Sequence, residues 1–285
     1  MLHYSDCPLC GSGNSSTIYT EGANAVVRCK GCGFMFKNPR DQNHIDTNRN
    51  REYYNAEFLR SKAAHLSLFR EKYDEFLKES GPGRILDIGC ATGEFLTVGS
   101  EKGWDVTGID VSEWACTYLK GRGFNQVYCT DIDSSDFPND YFDVVNINHT
   151  LEHVLYPIKT LQSIYRVLKP GGLLLVEVPN EILFPYNYKL INLLLPRHLP
   201  RRKTSHSHYS LFTPKSLATA LKDGGFHIRT LREEGFSSNS RIKTNTFKKK
   251  SFLVKLVLLM CSMKLDVYLK LGRYIVAVAE KKEKI

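Results

Sequence analysis

The chain has 285 residues, 42% apolar and 24% charged, with a formal net charge of +9. That composition is that of a soluble globular protein, and it leaves room for one ordinary domain plus a small module. No run of about 18 apolar residues occurs, which excludes a spanning helix.

The N-terminus, MLHYSDCPLC, has no apolar stretch of the kind an export signal needs, so a cytoplasmic protein is expected. Two C-x2-C pairs follow, Cys7 with Cys10 and Cys29 with Cys32, eighteen residues apart. Two-residue spacing lets both thiolates of a knuckle reach one tetrahedral ion at about 2.3 Å. Gly11, Gly31 and Gly33 supply the tight turns. Two disulfides would use the same cysteines, but a chain without an export signal argues against them. The expectation is a zinc ribbon over residues 1–37, with Cys7, Cys10, Cys29 and Cys32 holding a structural Zn2+. Four protein ligands leave no open position for catalysis. Arg28 and Lys30 are the sole basic residues between Cys7 and Cys32, which weakens a nucleic-acid reading of the ribbon.

Residues 38–80 read as a polar linker and a helix. Phe58, Leu59, Leu66, Leu68, Phe69, Tyr73, Phe76 and Leu77 fall at helical spacing, and Gly81-Pro82-Gly83 ends the run. Strand and helix signals then alternate. Strands are expected at 84–89, 104–110, 126–129, 142–147 and 173–178, and helices at 93–102, 112–121 and 157–168. Lys169-Pro170-Gly171-Gly172 reads as a turn, and 226–233 and 273–280 as closing strands. This is a doubly wound α/β sheet with right-handed crossovers.

The stretch Ile85-Leu86-Asp87-Ile88 runs into Gly89-Cys90-Ala91-Thr92-Gly93, and Glu94 opens a helix. A strand feeding a small-residue turn and a helix N-terminus is a nucleotide-type cradle. A dinucleotide site needs G-x-G-x-x-G/A, and its three positions here are Gly89, Ala91 and Glu94. A carboxylate at the third would oppose a pyrophosphate. A phosphate-binding P-loop fails too, because no Gly-Lys-Ser/Thr follows.

The same stretch resembles the D-x-G-x-G-x-G motif of the class I S-adenosylmethionine (SAM)-dependent methyltransferases of the type 11/23 kind, with alanine for the middle glycine. Asp110, twenty-one residues beyond Gly89, has the spacing of the acid that accepts ribose hydroxyls. Asp131, with Ile132, matches the adenine position. FDVVNINHTLEHVLYP and LKPGGLLLVEVPN resemble the fourth and fifth strands with their loops. The resemblance covers 84–180 most specifically and implies a Rossmann-like seven-stranded sheet. It also implies a SAM site drawn from Asp87, Gly89, Cys90, Ala91, Gly93, Phe95, Asp110, Val111, Asp131, Ile132 and Asn148. His149, Glu152 and His153 follow the fourth strand, at the rim of the crevice. His153 is expected to be the general base, with Glu152 orienting it or binding a metal. His206 and His208 form a second pair, for which a structural or substrate contact is expected before metal binding.

Residues 181–285 hold 21 Lys/Arg and 7 Asp/Glu, +14, against −5 for residues 1–180. Two insertions into the 81–285 domain, about 181–212 and 241–272, carry basic clusters beside apolar stretches. The second, SFLVKLVLLMCSMKLDVYLKL, suits a lid helix, a helix lying on an anionic membrane surface, or a dimer contact. The expected partner is an anionic small-molecule or lipid-linked acceptor, with nucleic acid disfavoured. The expected reaction is methyl transfer to a hydroxyl of a sugar or lipid-linked glycan intermediate of cell-surface polysaccharide. The alternatives are a quinone or phenol O-methyltransferase at the membrane surface, an RNA or protein methyltransferase, and a non-catalytic SAM-binding regulator.

Overall fold

A computed structural model describes residues 2–3, 5–21, 24–41, 58–78, 81–181, 208–234 and 274–282. The N-terminal part opens with β1 (Leu2–His3), which pairs with β5 (Arg40–Asp41). Between them, β2 (Ser15–Glu21), β3 (Asn24–Cys29) and β4 (Met35–Asn38) form an antiparallel ribbon sheet. α1 (Phe58–Phe76) follows.

The main body then runs β6 (Arg84–Ile88), α2 (Glu94–Glu101), β7 (Asp105–Asp110), α3 (Glu113–Gly121), β8 (Val127–Cys129), β9 (Phe142–Asn148), α4 (Pro157–Val167) and β10 (Leu168–Pro179). After it come β11 (Ser210–Leu211), α5 (Pro214–Asp223), β12 (His227–Glu234) and β13 (Tyr274–Glu280). The seven-stranded sheet has the order β12-β13-β10-β9-β6-β7-β8, with β13 antiparallel to both of its neighbours. The alternation expected from the sequence is borne out, including both closing strands.

Strands β6, β9 and β10 are near-continuous apolar runs because helices cover both faces of a parallel sheet. α4 shows how the cover is made. Pro157 occupies its first turn, where a missing N–H costs nothing, and Leu161, Ile164 and Val167 form one buried stripe. Each of those side chains contributes about 1.5–3 kcal/mol by leaving water. On the opposite face, Tyr73 and Leu77 pack with Phe95 and Trp104, which seats α1 over α2.

Two details depart from expectation. The Lys169–Gly172 turn lies inside β10, which already pairs with Phe142 through Leu168 before its register shifts at Leu173. A side chain at Gly172 would meet the carbonyl oxygens of Lys169 and Asp143 at 2.8 and 3.0 Å, so the chain folds tightly on itself without leaving the sheet. The second is β11. It extends the ribbon sheet, with Ser210 opposite Phe36 and Leu211 opposite Met35. Phe34 packs on Phe212 at 5.4 Å. Cys7, Leu9, Val27 and Cys29 share one buried cluster with Leu151, Val178 and Phe212. The ribbon is therefore built into the side of the main domain.

Among the described residues, no helix is long and apolar enough to cross a membrane. Of the two expected insertions, about 181–212 and 241–272, residues 182–207 of the first, with His206, and all of the second, including the apolar helix expected there, lie outside the described residues, and Ser210–Leu211 of the first form β11.

Candidate active site

The turn after β6 is held by its own backbone. The N–H groups of Gly89 and Cys90 donate to the Ile109 carbonyl at 2.8 and 3.1 Å, and that of Gly93 to the Cys90 carbonyl at 2.8 Å. Gly89 has φ +75°, and a Cβ there would lie 2.2 Å from Thr150 Oγ1. The loop after β9 thus presses directly on the turn, and only glycine fits. Ala91 also adopts positive φ, +46°, which an alanine tolerates at a cost of about 1 kcal/mol. That conformation aims its N–H at Asp110 Oδ2, 2.9 Å away, while Asp110 Oδ1 accepts from the Ser112 N–H at 2.9 Å. Asp110 thus fixes the turn through both of its carboxylate oxygens.

Three carboxyl groups crowd this turn. Asp87 accepts from Asn146 Nδ2 at 2.7 Å, and burial pushes its pKa up to about 7, helped by the negative charges of Asp110 and Glu94. Glu94 is buried. Its Oε2 accepts from Thr92 Oγ1 at 2.6 Å and its Oε1 has no protein partner. The Asn148 Oδ1 is likewise buried without a partner. Such an acid-rich turn favours a cationic ligand and opposes phosphate.

The remaining residues expected there are distributed around it. Cys90 and Phe95, expected at the site, turn their side chains into the core instead, Cys90 toward Gly108 and Phe95 against Tyr73 at 4.7 Å. Asp131 caps a short 3-10 turn, accepting from the Ser134 N–H at 2.8 Å and Oγ at 3.2 Å, with Ile132 buried behind it. The Val111 carbonyl faces Cys129 Sγ at 3.8 Å.

Beyond β9 lies a polar chain in which Lys72, Glu152 and Glu177 are buried and the His149 ring is partly exposed. Lys72 on α1 pairs with Glu177 on β10. Glu177 Oε1 meets His149 Nε2 at 3.1 Å, and His149 Nδ1 stands 3.4 Å from Glu152 Oε1. Burial alone would raise the Glu177 carboxyl, but the Lys72 charge and the His149 hydrogen bond bring it down to about 2. Burial alone would lower the His149 pKa. Its two carboxylate partners outweigh this and hold it up, at about 9. Burial would also raise Glu152, yet its bond to His149 and the nearby His153 and His208 keep it below the ordinary value.

His153 stacks edge-on against His208, ring centroids 4.9 Å apart. The Tyr209 N–H donates to the Glu152 carbonyl at 2.8 Å, and the Lys37 N–H on β4 to the Tyr209 carbonyl at 3.0 Å. The ribbon therefore sets His208 beside Glu152 and His153. Sequence reasoning brought His149, Glu152 and His153 together and expected a structural or substrate contact of His208, but it left out Lys72 and Glu177. Lys72 sits on the buried face of α1 between Phe69 and Tyr73, and Glu177 inside the apolar run LLLVEV. A charge on an apolar face was the available signal in both cases.

At the ribbon, the sulfurs of Cys7 and Cys32 are 3.6 Å apart and those of Cys10 and Cys29 3.5 Å, with no disulfide among them. Four thiolates about 2.3 Å from a central Zn2+ would stand about 3.8 Å apart, so the set fits that ion. All four ligand atoms lie within 4.8 Å of one another. Burial opposes the Cys29 thiolate, but the backbone N–H of Cys32 and the neighbouring sulfur lower its pKa to about 6.

Residues 50–231 match the family model described as a methyltransferase domain. The chain belongs to this methyltransferase family. Its seven-stranded sheet is the class I, SAM-dependent form of the fold. The ubiquinone biosynthesis O-methyltransferase of Maricaulis maris is 30% identical over 153 residues, 51% of this chain and 59% of that one. That of Coxiella burnetii is 27% identical over 154 residues, 50% of this chain. The match spans 63% of the Coxiella enzyme's length. Among solved structures, the 1,6-didemethyltoxoflavin-N1-methyltransferase of Burkholderia thailandensis, crystallised with S-adenosylhomocysteine, superposes with a TM-score of 0.56. It covers 95% of this chain and all of that one at 16% identity, a likeness of fold.

Proposed function

We propose that this protein transfers the methyl group of SAM to a hydroxyl of a small-molecule acceptor. One observation carries the reading. The acid-lined turn after β6 and the His149–Glu152–His153 group occupy the same carboxyl edge of the sheet, joined where Thr150 meets Gly89. SAM, when bound, supplies an electrophilic methyl carbon and a neutral thioether leaving group.

The chain's residues would divide the remaining tasks. Asp87 faces the cationic amino-acid end, Asp110 the ribose, and Asp131 with Ile132 the adenine. Gly89, Ala91 and Gly93 let the backbone approach. His153 faces the acceptor and takes the hydroxyl proton while the oxygen attacks in line. Glu152 orients His153, and His149 holds Glu152. Cys7, Cys10, Cys29 and Cys32 would hold a structural Zn2+ with no part in the chemistry.

For the acceptor we favour a sugar hydroxyl, carried on a phosphate, diphosphate or lipid-linked intermediate of cell-surface polysaccharide. The support is the +14 charge of residues 181–285. Contact of the 241–272 segment with an anionic membrane belongs to the same proposal. A second reading, a phenolic hydroxyl of a quinone precursor, is favoured by the names of the Maricaulis and Coxiella relatives.

Calorimetry with SAM and S-adenosylhomocysteine is the first test, and failure of both to bind overturns the reading. Methyl transfer is then assayed on nucleotide-diphosphate sugars and on dihydroxybenzoates. The class that turns over decides between the two acceptors. His153→Ala should lower kcat by about 100-fold or more with cofactor affinity retained. Unchanged turnover would remove His153 from the chemistry.

A further inference from the structure

We propose that Cys116 and Cys129, remote from the ribbon, are a reversible disulfide site that controls cofactor binding from behind Asp110. Cys116 lies on α3 and is buried, Cys129 ends β8 and is exposed, and both are free thiols. Asp110 and Cys129 are register partners across β7 and β8. The Cys116 thiol donates to the Asp110 carbonyl at 3.4 Å, and the Cys129 thiol to the Val111 carbonyl at 3.8 Å. The two sulfurs therefore hang on adjacent carbonyls, and the Cys116 thiol is within hydrogen-bond reach of the Cys129 sulfur. An exposed thiol beside a buried one pairs a group that meets the oxidant with a group that resolves it.

The oxidant is a low-molecular-weight disulfide, RSSR. The Cys129 thiolate attacks one of its sulfurs, forms a mixed disulfide and releases RS−, which takes up a proton. Cys116 then loses its proton to water and attacks Cys129 Sγ, and the second RS− leaves and is protonated. Two protein thiols are oxidised and one RSSR is reduced to two RSH. Burial first, and then the hydrogen bond to the Cys129 sulfur and its negative charge, push the Cys116 thiol up to about 12. Capping of Cys129 removes the last two influences, so Cys116 ionises more easily once it has a sulfur to attack.

The bond acts on the cofactor turn through α3. The Cys116 N–H donates to the Ser112 carbonyl at 3.1 Å, and Ser112 Oγ caps the helix by accepting from the Ala115 N–H at 3.3 Å. The Ser112 N–H in turn donates to Asp110 Oδ1, whose carboxylate also holds Ala91. A disulfide sets its sulfurs about 2.05 Å apart, closer than hydrogen-bonded sulfurs stand. The start of α3 and the end of β8 must then close on each other. The Asp110 and Val111 carbonyls lose their S–H donors, and Ser112 passes the displacement to the Asp110 carboxylate. Oxidation thereby weakens the cofactor site. This consequence rests on the SAM reading, whereas the disulfide itself does not.

The test oxidises the full chain, its ribbon zinc-loaded, with glutathione disulfide. Remaining thiols are blocked with iodoacetamide and the chain is digested with trypsin. Cleavage after Lys120 and Arg122 puts the two cysteines in separate peptides, so their linkage is read directly by mass spectrometry. A Cys116–Cys129 peptide pair is expected, lost on treatment with dithiothreitol. Glutathione remaining on Cys129, or Cys129 linked to any other cysteine, overturns the site. S-adenosylhomocysteine affinity should fall at least tenfold on oxidation, recover with dithiothreitol, and stay unchanged by oxidant in Cys129→Ser. Cys129 is exposed, so this variant carries the test where Cys116→Ser does not fold. A linked protein that binds as tightly as the reduced one overturns the control of cofactor binding. Failure of the reduced wild type to bind removes the methyl-transfer reading, and the peptide map still decides the disulfide.

Discussion

The two edges of the proposed site, one for the cofactor and one for the acceptor, are built in opposite ways. The cofactor edge draws on one continuous stretch, β6 through β9, whose turn is fixed by bonds among neighbours such as Ala91 N–H to Asp110 and Asn146 to Asp87. The acceptor edge is gathered from far-separated positions: Lys72, His149 to His153, Glu177 and His208, the last delivered by the ribbon. Local construction makes the first edge robust. The second exists only when several distant elements are in place together, so it should fail first and alone.

The largest expected effect comes from the ribbon. Cys29→Ser removes one ligand of the proposed zinc site, and the energy of binding a structural zinc is folding energy of its module. β4 should loosen, release β11, and let His208 leave Glu152. Methyl transfer should drop at least about 100-fold while S-adenosylhomocysteine affinity changes less than about threefold. Hydrogen exchange should rise over 149–153 and 208–212 and stay low over 84–110. An equal loss of cofactor binding would show that the two edges are one cooperative unit.

Next comes the contact that joins the edges. Gly89→Ala adds a Cβ at φ +75°, 2.2 Å from Thr150 Oγ1. Backbone strain alone costs about 1–3 kcal/mol, so SAM affinity should fall about 10- to 100-fold. Thr150→Ala in the same chain removes the colliding oxygen and should restore part of the loss. The double-mutant cycle then measures how tightly the acceptor loop is coupled to the cofactor turn. A coupling energy near zero would separate them.

The same contrast explains what could be read in advance. The sheet, its closing strands and the turn from Asp87 to Gly93 are local patterns, apolar runs and small residues at short spacing. Asp110 was legible because one strand and one helix set its distance from Gly89. His208 was visible as a histidine, but its place beside His153 depends on β11 joining β4, a pairing across more than 170 residues that two-residue strands do not announce. The ribbon's role in the main core was hidden for the same reason. Cys90 and Phe95 stood at motif positions, yet the direction of a side chain follows from packing against Gly108 and Tyr73, which no motif encodes.

A smaller effect sits within the cofactor edge. Asp87 in the unliganded pocket has a pKa near 7, raised by burial and by Asp110 and Glu94. A cationic ligand prefers the ionised form and lowers that pKa on binding. SAM affinity should therefore be full above about pH 7. It should fall by up to tenfold per pH unit below that, until the pKa of the bound state is passed. Asp87→Asn should weaken binding at pH 8 and flatten the profile. A profile unchanged by the substitution would take Asp87 out of the ligand's field.

The smallest effect belongs to the acceptor edge and tests whether its polar chain stabilises the fold. His149 has a folded pKa of about 9, above the ordinary imidazole value, because Glu152 and Glu177 both accept from it. A group raised in this way contributes stability that is complete below about pH 6.5 and is lost as pH climbs through about 9. The ring keeps 41% of its surface exposed, so solvent screens the pairing and the contribution is held to about 1 kcal/mol. For a chain of this size that is about 2–4 °C in Tm. Thermal melts from pH 6 to 9.5 should show the wild type losing that much more than His149→Gln, which keeps hydrogen-bonding capacity but has no charge to lose. Parallel melting curves would mean that the chain from Lys72 to Glu152 serves the acceptor without stabilising the fold. The acceptor edge would then depend on the ribbon alone for its geometry.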